Sequence, residues 1–422
     1  MFKADKEAFR PPTAQAMRQV RIVKPPDAGV IPDDYFIKFG KQPNKSPRHD
    51  ATEVKPDPEP SVIVEGGFDG ELFSKPVPAS GLVQPKVFDK LLETWRDHFD
   101  FKEADKRIRV AILDTGIDLD HEDWLQPRAV RFEDGKPVPA SGEPRQIDRI
   151  RNKMNFCGGS ETNVQDIDGH GTQVASIILR LAPRAEVDIA RVCVGSRIGG
   201  SSADRCPQPS AVAKAIDWAI SNRVSIINMS FGYKWFNKDV REALSRARHN
   251  NIVVFAAMSN GGIFEPASWP AREAEYAIGI HSCDNDGKRS GFTAPPAPDN
   301  PNFMVVGENI VTHRPKAKGG GFKLDDGTSF ATPVAASMAA LILAFVEQKI
   351  CKMERRRAQE LVVLEDLYGH RMALLLKSIS TLDDPRYLLI HPKLLWKDCR
   401  AGESKEQCRS RAWDVIKKAL EP

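Results

Sequence analysis

Four polar residues, far apart in the chain, have side chains that could together hydrolyse an amide bond. They are Asp114, His170, Asn260 and Ser329. A serine hydroxyl can attack a carbonyl carbon if an imidazole takes its proton, and a carboxylate can hold that imidazole in the required orientation. A side-chain amide can donate a hydrogen bond to the oxyanion that the attack creates. The four residue types therefore make up a complete set for acyl transfer.

Each of these residues also has an ordinary structural interpretation when it is taken alone. Thr328 or Ser329, in the stretch DDGTSFATPVAAS, could simply cap the apolar helix that follows. Asp114 could cap a helix or lie in a loop, His170 could be a capping or surface residue, and SNGG around Asn260 could be a turn. The choice between the two interpretations depends on where the fold places the residues.

The elements that must position these residues can be predicted from the pattern of apolar runs. The runs are RVAILDT, VDIARVCV, SIINMSF, IVVFAAMS, YAIGIHSC and FMVVGEN, and helical segments such as GTQVASIILRL, PSAVAKAIDWAISN and KDVREALSRARHN lie between them. Strands that are apolar on both faces and separated by helices predict an α/β fold, with a doubly wound parallel sheet and helices on both of its faces. Ligands of such sheets bind at the carboxyl ends of the strands. All four candidate residues stand at a predicted strand exit or helix start, so we expect them to converge.

The sequences around the four residues resemble the signatures of the subtilisin-type serine proteases. The matching stretches are AILDTGID, DGHGT, INMSFG, AAMSN and GTSFATP, which cover roughly residues 105–346 in the chain order Asp, His, Ser of that family. The resemblance implies that Ser329 is the nucleophile and His170 its general base. It implies further that Asp114 orients the imidazole and that Asn260 donates to the oxyanion.

The resemblance also predicts how a polypeptide substrate binds. The substrate should lie extended beside Ser230, Phe231 and Gly232, and residues 256–259 should form the far wall of the primary specificity pocket. Family members commonly carry a long loop with a calcium site after the histidine helix, but here SIILRLAPRAEV runs almost directly into the next strand. We therefore expect no metal and no cofactor.

Three regions are predicted along the chain. Residues 1–84 are rich in proline and charge, as in RPPT, KPPD and KPDPEP, and predict a partly disordered extension. Residues 85–348 predict the peptidase domain, with a lead-in helix over residues 85–100. Residues 349–422 are charged and helical with no strand signal, so we expect a helical extension that packs on the main domain or on a protein partner.

Bulk composition narrows the class of protein. The chain has 422 residues, of which 41% are hydrophobic and 28% charged, and this is typical of a soluble globular protein. A net charge of +4 does not indicate nucleic acid or a membrane as a partner. The longest apolar run, residues 334–346, is shorter than a membrane span. The N-terminus MFKADKEAFRPPTAQ lacks the apolar segment of a secretory signal, so we expect a cytoplasmic protein.

Cysteine usage agrees with a reducing compartment, since the seven cysteines are scattered and odd in number. Two disulfides remain an alternative for an oxidising compartment, Cys193 with Cys206 and Cys399 with Cys408.

The leading functional hypothesis is a serine endopeptidase that works through an acyl-enzyme intermediate. The alternative is a catalytically silent peptide-binding or regulatory module that keeps the fold, but all members of the triad are present. An esterase of the α/β-hydrolase type is disfavoured, because no GxSxG motif surrounds Ser329 and the chain order would be Ser, acid, His.

Overall fold

The computed structural model describes residues 108–121, 124, 129–133, 136–139, 145–183, 185–195, 207–352, 371–384, 386–397, 399 and 402–420. The predicted N-terminal extension and the lead-in helix over residues 85–100 lie outside the described residues. The strands are β1 (Arg109–Asp114), β2 (Ala129–Glu133), β3 (Lys136–Pro139), β4 (Ile150–Asn155), β5 (Glu186–Arg191), β6 (Ile226–Met229), β7 (Val253–Ala257), β8 (Ile278–Cys283), β9 (Phe303–Val306), β10 (Ile310–His313), β11 (Phe322–Asp325), β12 (Ser380–Asp384) and β13 (Tyr387–Ile390). The α-helices are α1 (His170–Leu181), α2 (Pro209–Ser221), α3 (Lys238–His249), α4 (Thr328–Lys352), α5 (Met372–Ser378) and α6 (Lys405–Leu420).

Nine of these strands form one sheet, in the order β12-β13-β9-β8-β7-β6-β1-β5-β4. Neighbouring strands are parallel except for β12 with β13. Strand β1 lies between β5 and β6, so the chain continues to one side of β1 through β5 and then to the other side through β6. The strand order therefore reverses at β1, and Asp114 ends this strand where ligands of open α/β sheets bind.

Two apolar cores cover the two faces of the sheet. Val110 and Ile112 of β1 belong to one core together with α1 and α4, whereas Ala111 and Leu113 belong to the other together with α2 and α3. All four side chains are fully buried. Because successive side chains of a strand point to opposite faces, a strand buried on both faces must be continuously apolar. The predicted α/β fold with helices on both faces of a parallel sheet is confirmed.

Helix α4 is the central helix of its core and carries Ser329 at its second position. Residues 328–349 are long and apolar enough to cross a membrane, yet the most apolar part of this stretch is completely buried within the protein. Two hydroxyl groups in its interior are satisfied within the helix, since Thr332 Oγ1 donates to Thr328 O at 2.7 Å and Ser337 Oγ donates to Pro333 O at 2.7 Å. The composition of α4 is therefore that of a core helix.

A short antiparallel ribbon, β10 with β11, leads the chain into α4. The ribbon is attached to α1, because Arg180 Nη2 donates to Val311 O at 2.5 Å and His313 N donates to Ser176 Oγ at 3.3 Å. Beyond the ribbon, Gly327 N donates to Gly307 O at 2.8 Å. These contacts fix the approach of the chain to Ser329 relative to the helix that begins with His170.

The C-terminal region contains strands as well as helices. Strand β13 pairs parallel with β9 and antiparallel with β12, so both strands extend the main sheet. The expectation that residues 349–422 lack strands is therefore wrong, whereas predicted helices are present as α5 and α6. Strands β12 and β13 have only five and four residues, which is too short for an alternation of apolar and polar residues to be recognised in the sequence. They form because β13 pairs with the open edge of β9, and β12 then pairs with β13.

Helix α6 packs on the main domain, which was one of the two expected positions for the C-terminal helices. Its residues Ala412, Trp413 and Ile416 are buried in the same core as α4. Cys399 and Cys408 are free thiols in hydrogen-bonding contact, and burial raises the pKa of Cys399 to about 12. Cys193 is also free and Cys206 lies outside the described residues, so the structure contains neither of the alternative disulfides among the cysteines it describes.

Candidate active site

Asp114 and His170 form the first pair of the site. Asp114 ends β1 with 3% of its surface exposed, and its Oδ1 lies 2.8 Å from His170 Nδ1. Oδ1 also accepts the N–H of Thr115 at 2.8 Å. A carboxylate can only accept, so Nδ1 carries the proton and Nε2 is left for proton transfer. The His170 side chain is 28% exposed, so the imidazole has access to solvent and substrate.

The glycines on either side of His170 allow two chain segments to pack closely around the start of α1. Gly169 has a φ of +100°, and a Cβ there would lie 2.7 Å from Pro315 Cγ. A Cβ at Gly171 would lie 2.2 Å from Gly116 O, and Gly171 N donates to Thr115 Oγ1 at 2.8 Å. The glycines therefore serve the contact of α1 with the end of β1 and with the ribbon turn.

Asp166 holds the first turn of the helix that carries His170, and the sequence analysis did not predict this role. It is fully buried, and its carboxylate accepts Gly169 N at 2.7 Å, Thr172 N at 2.8 Å and Thr172 Oγ1 at 2.7 Å. Burial raises the pKa of Asp166 above its ordinary value, although the donated hydrogen bonds oppose this effect. The signal was in the DIDGHGT stretch, where an acid four residues before His170 can cap the first turn of the helix.

Ser329, Asn260 and Gly327 form the second part of the site. Thr328 N donates to Asn260 Oδ1 at 2.8 Å, which fixes the orientation of the side-chain amide. A Cβ placed on Gly327, whose φ is +155°, would lie 3.0 Å from Asn260 Nδ2 and 3.1 Å from Ser329 Oγ. The amide donor and the hydroxyl therefore flank one small space, which only the absence of a side chain at Gly327 keeps open.

The two parts of the site meet through the residue after the serine. The rings of His170 and Phe330 are 5.5 Å apart between centroids. Ser329 is 8% exposed and belongs to the first turn of α4, where backbone N–H groups have no partner within the helix and the helix dipole favours negative charge. The structure thus brings all four predicted residues to the carboxyl edge of the sheet, and together they can support attack on a carbonyl carbon and stabilise the resulting oxyanion.

The predicted substrate segment, Ser230, Phe231 and Gly232, directly follows β6. Ser230 and Phe231 are 2% and 5% exposed, and Ser230 Oγ accepts a hydrogen bond from Asn228 Nδ2 at 3.0 Å. A Cβ on Gly232 would lie 2.3 Å from the Oγ of Ser268. Ser268, whose hydroxyl donates to Ala257 O, therefore fills the space between this segment and the end of β7. The sequence analysis missed Ser268, because its position depends on a long-range contact.

The described part of the chain offers no group of three or more His, Cys, Asp or Glu side chains that could hold a metal ion. Helix α1 ends at Leu181 and β5 begins at Glu186. The connection is as short as the sequence analysis predicted.

The chain is similar in sequence to known proteases. Residues 105–367 match the model of the subtilase family. The chain is 41% identical over 345 residues to the subtilisin-like protease het-Q2 of Podospora anserina, which covers 75% of this chain and 93% of that protein. It is 28% identical over 248 residues to subtilisin E of Bacillus subtilis (strain 168), which covers 56% of this chain and 55% of that protein.

Solved structures show the same fold. The protease domain of PatA, solved as a serine-to-alanine mutant, aligns with a TM-score of 0.50 at 21% identity, over 76% of this chain and 98% of that chain. The family match covers more than half of the chain and includes the segments that carry all four site residues. The chain therefore belongs to the subtilase family and is a serine-type endopeptidase.

Proposed function

We propose that this endopeptidase cleaves peptide bonds through an acyl-enzyme intermediate on Ser329, with Asp114 and His170 as the other members of its triad. The observation that carries the proposal is the 2.8 Å contact between Asp114 Oδ1 and His170 Nδ1. In the neutral imidazole this contact places the proton on Nδ1, so Nε2 is the nitrogen that can accept a proton from the serine, as a general base must.

The first half of the reaction forms an ester bond. Ser329 Oγ attacks the carbonyl carbon of the scissile peptide while His170 takes its proton. The negative charge that develops on the carbonyl oxygen is stabilised by Asn260 Nδ2 and by the first N–H groups of α4. Collapse of this intermediate breaks the C–N bond, and His170 gives the proton to the leaving amine. Asp114 stabilises the imidazolium through its hydrogen bond with Nδ1.

The second half of the reaction returns the free enzyme. A water molecule gives a proton to His170 and attacks the ester carbon, which again creates an oxyanion beside Asn260. When the C–O bond to Ser329 breaks, His170 returns its proton to the serine oxygen, and the new carboxylic acid leaves. The same groups thus serve both halves, in reversed order.

The substrate backbone binds beside Ser230, Phe231 and Gly232 and is paired as an added strand. Such pairing gives affinity without depending on side chains. A catalytically silent module with the same fold is the other hypothesis, and the complete set of oriented polar groups argues against it.

A fluorophosphonate probe tests the proposal, because it phosphonylates only a serine that an assembled triad activates. The wild-type protein should be labelled, whereas Ser329→Ala and His170→Ala should not. Asp217→Asn, an exposed substitution on α2 away from the cleft, should be labelled like the wild type and serves as the matched control. A folded wild-type protein that resists the probe would favour the silent module.

A further inference from the structure

Exposed apolar side chains are concentrated in two loops beside the cleft. Among the described residues, eight large hydrophobic side chains are exposed, and four of them lie in these loops. We call the four the apolar rim, and their exposed fractions are 51% for Trp235, 42% for Phe236, 69% for Ile263 and 88% for Phe264. Single exposed apolar residues are common, but a cluster of this kind marks an interaction site.

Several contacts hold the two loops next to one another. Tyr233 and Trp269 exchange two backbone hydrogen bonds of 2.6 and 2.8 Å where the loops begin and end. Arg272 Nη1 donates both to Lys234 O at 3.1 Å and to Ala267 O at 3.0 Å, so one guanidinium joins the two loops. The four side chains of the apolar rim therefore belong to two loops that are held side by side.

The loop that carries Ile263 and Phe264 is anchored on both sides of them. Gly262 N donates to Phe292 O at 2.7 Å. The Glu265 side chain packs on Gly261, where a Cβ would lie 2.4 Å from its Oε2. Burial raises the pKa of Glu265, and the charge of Lys234 in the opposite loop and a hydrogen bond from Ser259 counteract this. Anchors that point inward leave the two apolar side chains facing outward.

The position of the apolar rim connects it to the cleft. One loop continues directly from the substrate segment that ends at Gly232, and the other continues directly from Asn260. A polypeptide held at both places has its neighbouring residues next to the rim. Burial of apolar surface there would add affinity that the backbone pairing in the cleft does not provide.

We propose that the apolar rim is a docking surface for an apolar segment of a protein substrate, separate from the residues at the scissile bond. The inference rests on the proposed function, since it assumes that the cleft beside the rim is the site of cleavage. It selects among protein substrates, because only those that expose an apolar segment within reach of their cleavage site gain the extra affinity.

Three internally quenched peptides with the same cleavage site test the proposal. One is short, one carries a Leu- and Phe-rich segment on a Gly/Ser linker, and one carries a polar segment on the same linker. For the wild-type protein, kcat/KM for the peptide with the apolar segment should exceed that for the short peptide by roughly tenfold, through KM. The polar segment should give no advantage.

Two variants and one control make the test specific to the rim. In Trp235→Ser and Phe264→Ser, the ratio of kcat/KM between the apolar-extended and the short peptide should fall towards one. Leu382→Ser is the matched control, since Leu382 is 64% exposed but lies on β12 at the far edge of the sheet. This variant should keep the wild-type ratio.

Several results would overturn the inference. The inference is wrong if both rim variants keep the wild-type ratio of kcat/KM between the apolar-extended and the short peptide. A parallel fall of kcat/KM on all peptides also leaves this ratio unchanged, and would assign the rim to the pocket at the scissile bond. Conversion of a wild-type dimer to a monomer by the rim substitutions, seen by gel filtration, would assign the rim to a second copy of the chain. Fluorophosphonate labelling separates the two proposals, since its absence in the wild type contradicts the proposed function itself.

Discussion

Replacing Asn260 by aspartate tests the assignment of the oxyanion donor with little change of shape. Asn260 Oδ1 accepts the N–H of Thr328 at 2.8 Å, so Nδ2 is turned towards Gly327 and Ser329. In Asn260→Asp, one carboxylate oxygen keeps the bond to Thr328, and the other replaces the donor with a negative charge. In Asn260→Ala, both the donor and the acceptor are lost.

The size of the effect follows from the role of each atom. Removal of one oxyanion donor in a subtilisin lowers kcat by about 10²–10³-fold, or about 3–4 kcal/mol, and the added charge of Asn260→Asp should make its loss at least as large. KM should change little, because the charge on the carbonyl oxygen develops only in the transition state. Asn260→Ala should also lower the free energy of unfolding by about 1 kcal/mol, since Thr328 N–H loses its acceptor at the start of α4.

The assay combines steady-state kinetics on a chromogenic peptide with urea unfolding of each variant. Asn260→Asp should be as stable as the wild type and nearly inactive. This result would separate the role of Nδ2 as oxyanion donor from the role of Oδ1 as acceptor for Thr328 N–H. If folded Asn260→Asp keeps more than about a tenth of the wild-type kcat, Nδ2 is not an oxyanion donor and the reasoning from the Thr328 bond is wrong.

Three further substitutions or conditions test other parts of the site and fold. Gly327→Ala should lower kcat about tenfold, because its Cβ would lie 3.0 Å from the amide donor and 3.1 Å from the serine hydroxyl, whereas Gly291→Ala, with open space around it, should not. Asp166→Asn should lower the free energy of unfolding by about 2 kcal/mol and reduce kcat, since an NH₂ group would face N–H donors behind His170. The pKa of His281 is lowered from 6.5 to about 4 by burial, so the unfolded chain binds a proton that the folded protein does not. Stability measured by urea unfolding should therefore fall by about 3 kcal/mol as the pH drops from 6.5 to 4, and His281→Gln should flatten this part of the profile.

The central sheet could be predicted because its strands carry their own signal. RVAILDT must be apolar throughout, since β1 is buried on both faces, and the same holds for β6 and β7. The positions of Asp114 and Asn260 then followed from the rule that parallel strands present their carboxyl ends at one edge. His170 and Ser329 could be located because each lies in a short motif at the start of a helix.

The features that the sequence did not predict depend on contacts between distant segments. Strands β12 and β13 form because the edge of β9 is open, and nothing in STLDD or YLLI shows which edge they join. Ser268 reaches its place under Gly232 through the bridge between Tyr233 and Trp269. The inward turn of Glu265 and the outward turn of Phe264 likewise follow from how the loop is anchored, since hydropathy alone would predict the opposite.

The central claim, an acyl-enzyme on Ser329, is tested most directly by rapid mixing with a p-nitrophenyl ester followed by acid quenching and mass spectrometry of the digested protein. The account predicts a burst of about one equivalent of nitrophenol per enzyme and an acyl group on the peptide that contains Ser329, with neither in Ser329→Ala. Hydrolysis without a burst, an acyl group on another residue, or continued peptide cleavage by Ser329→Ala would contradict it.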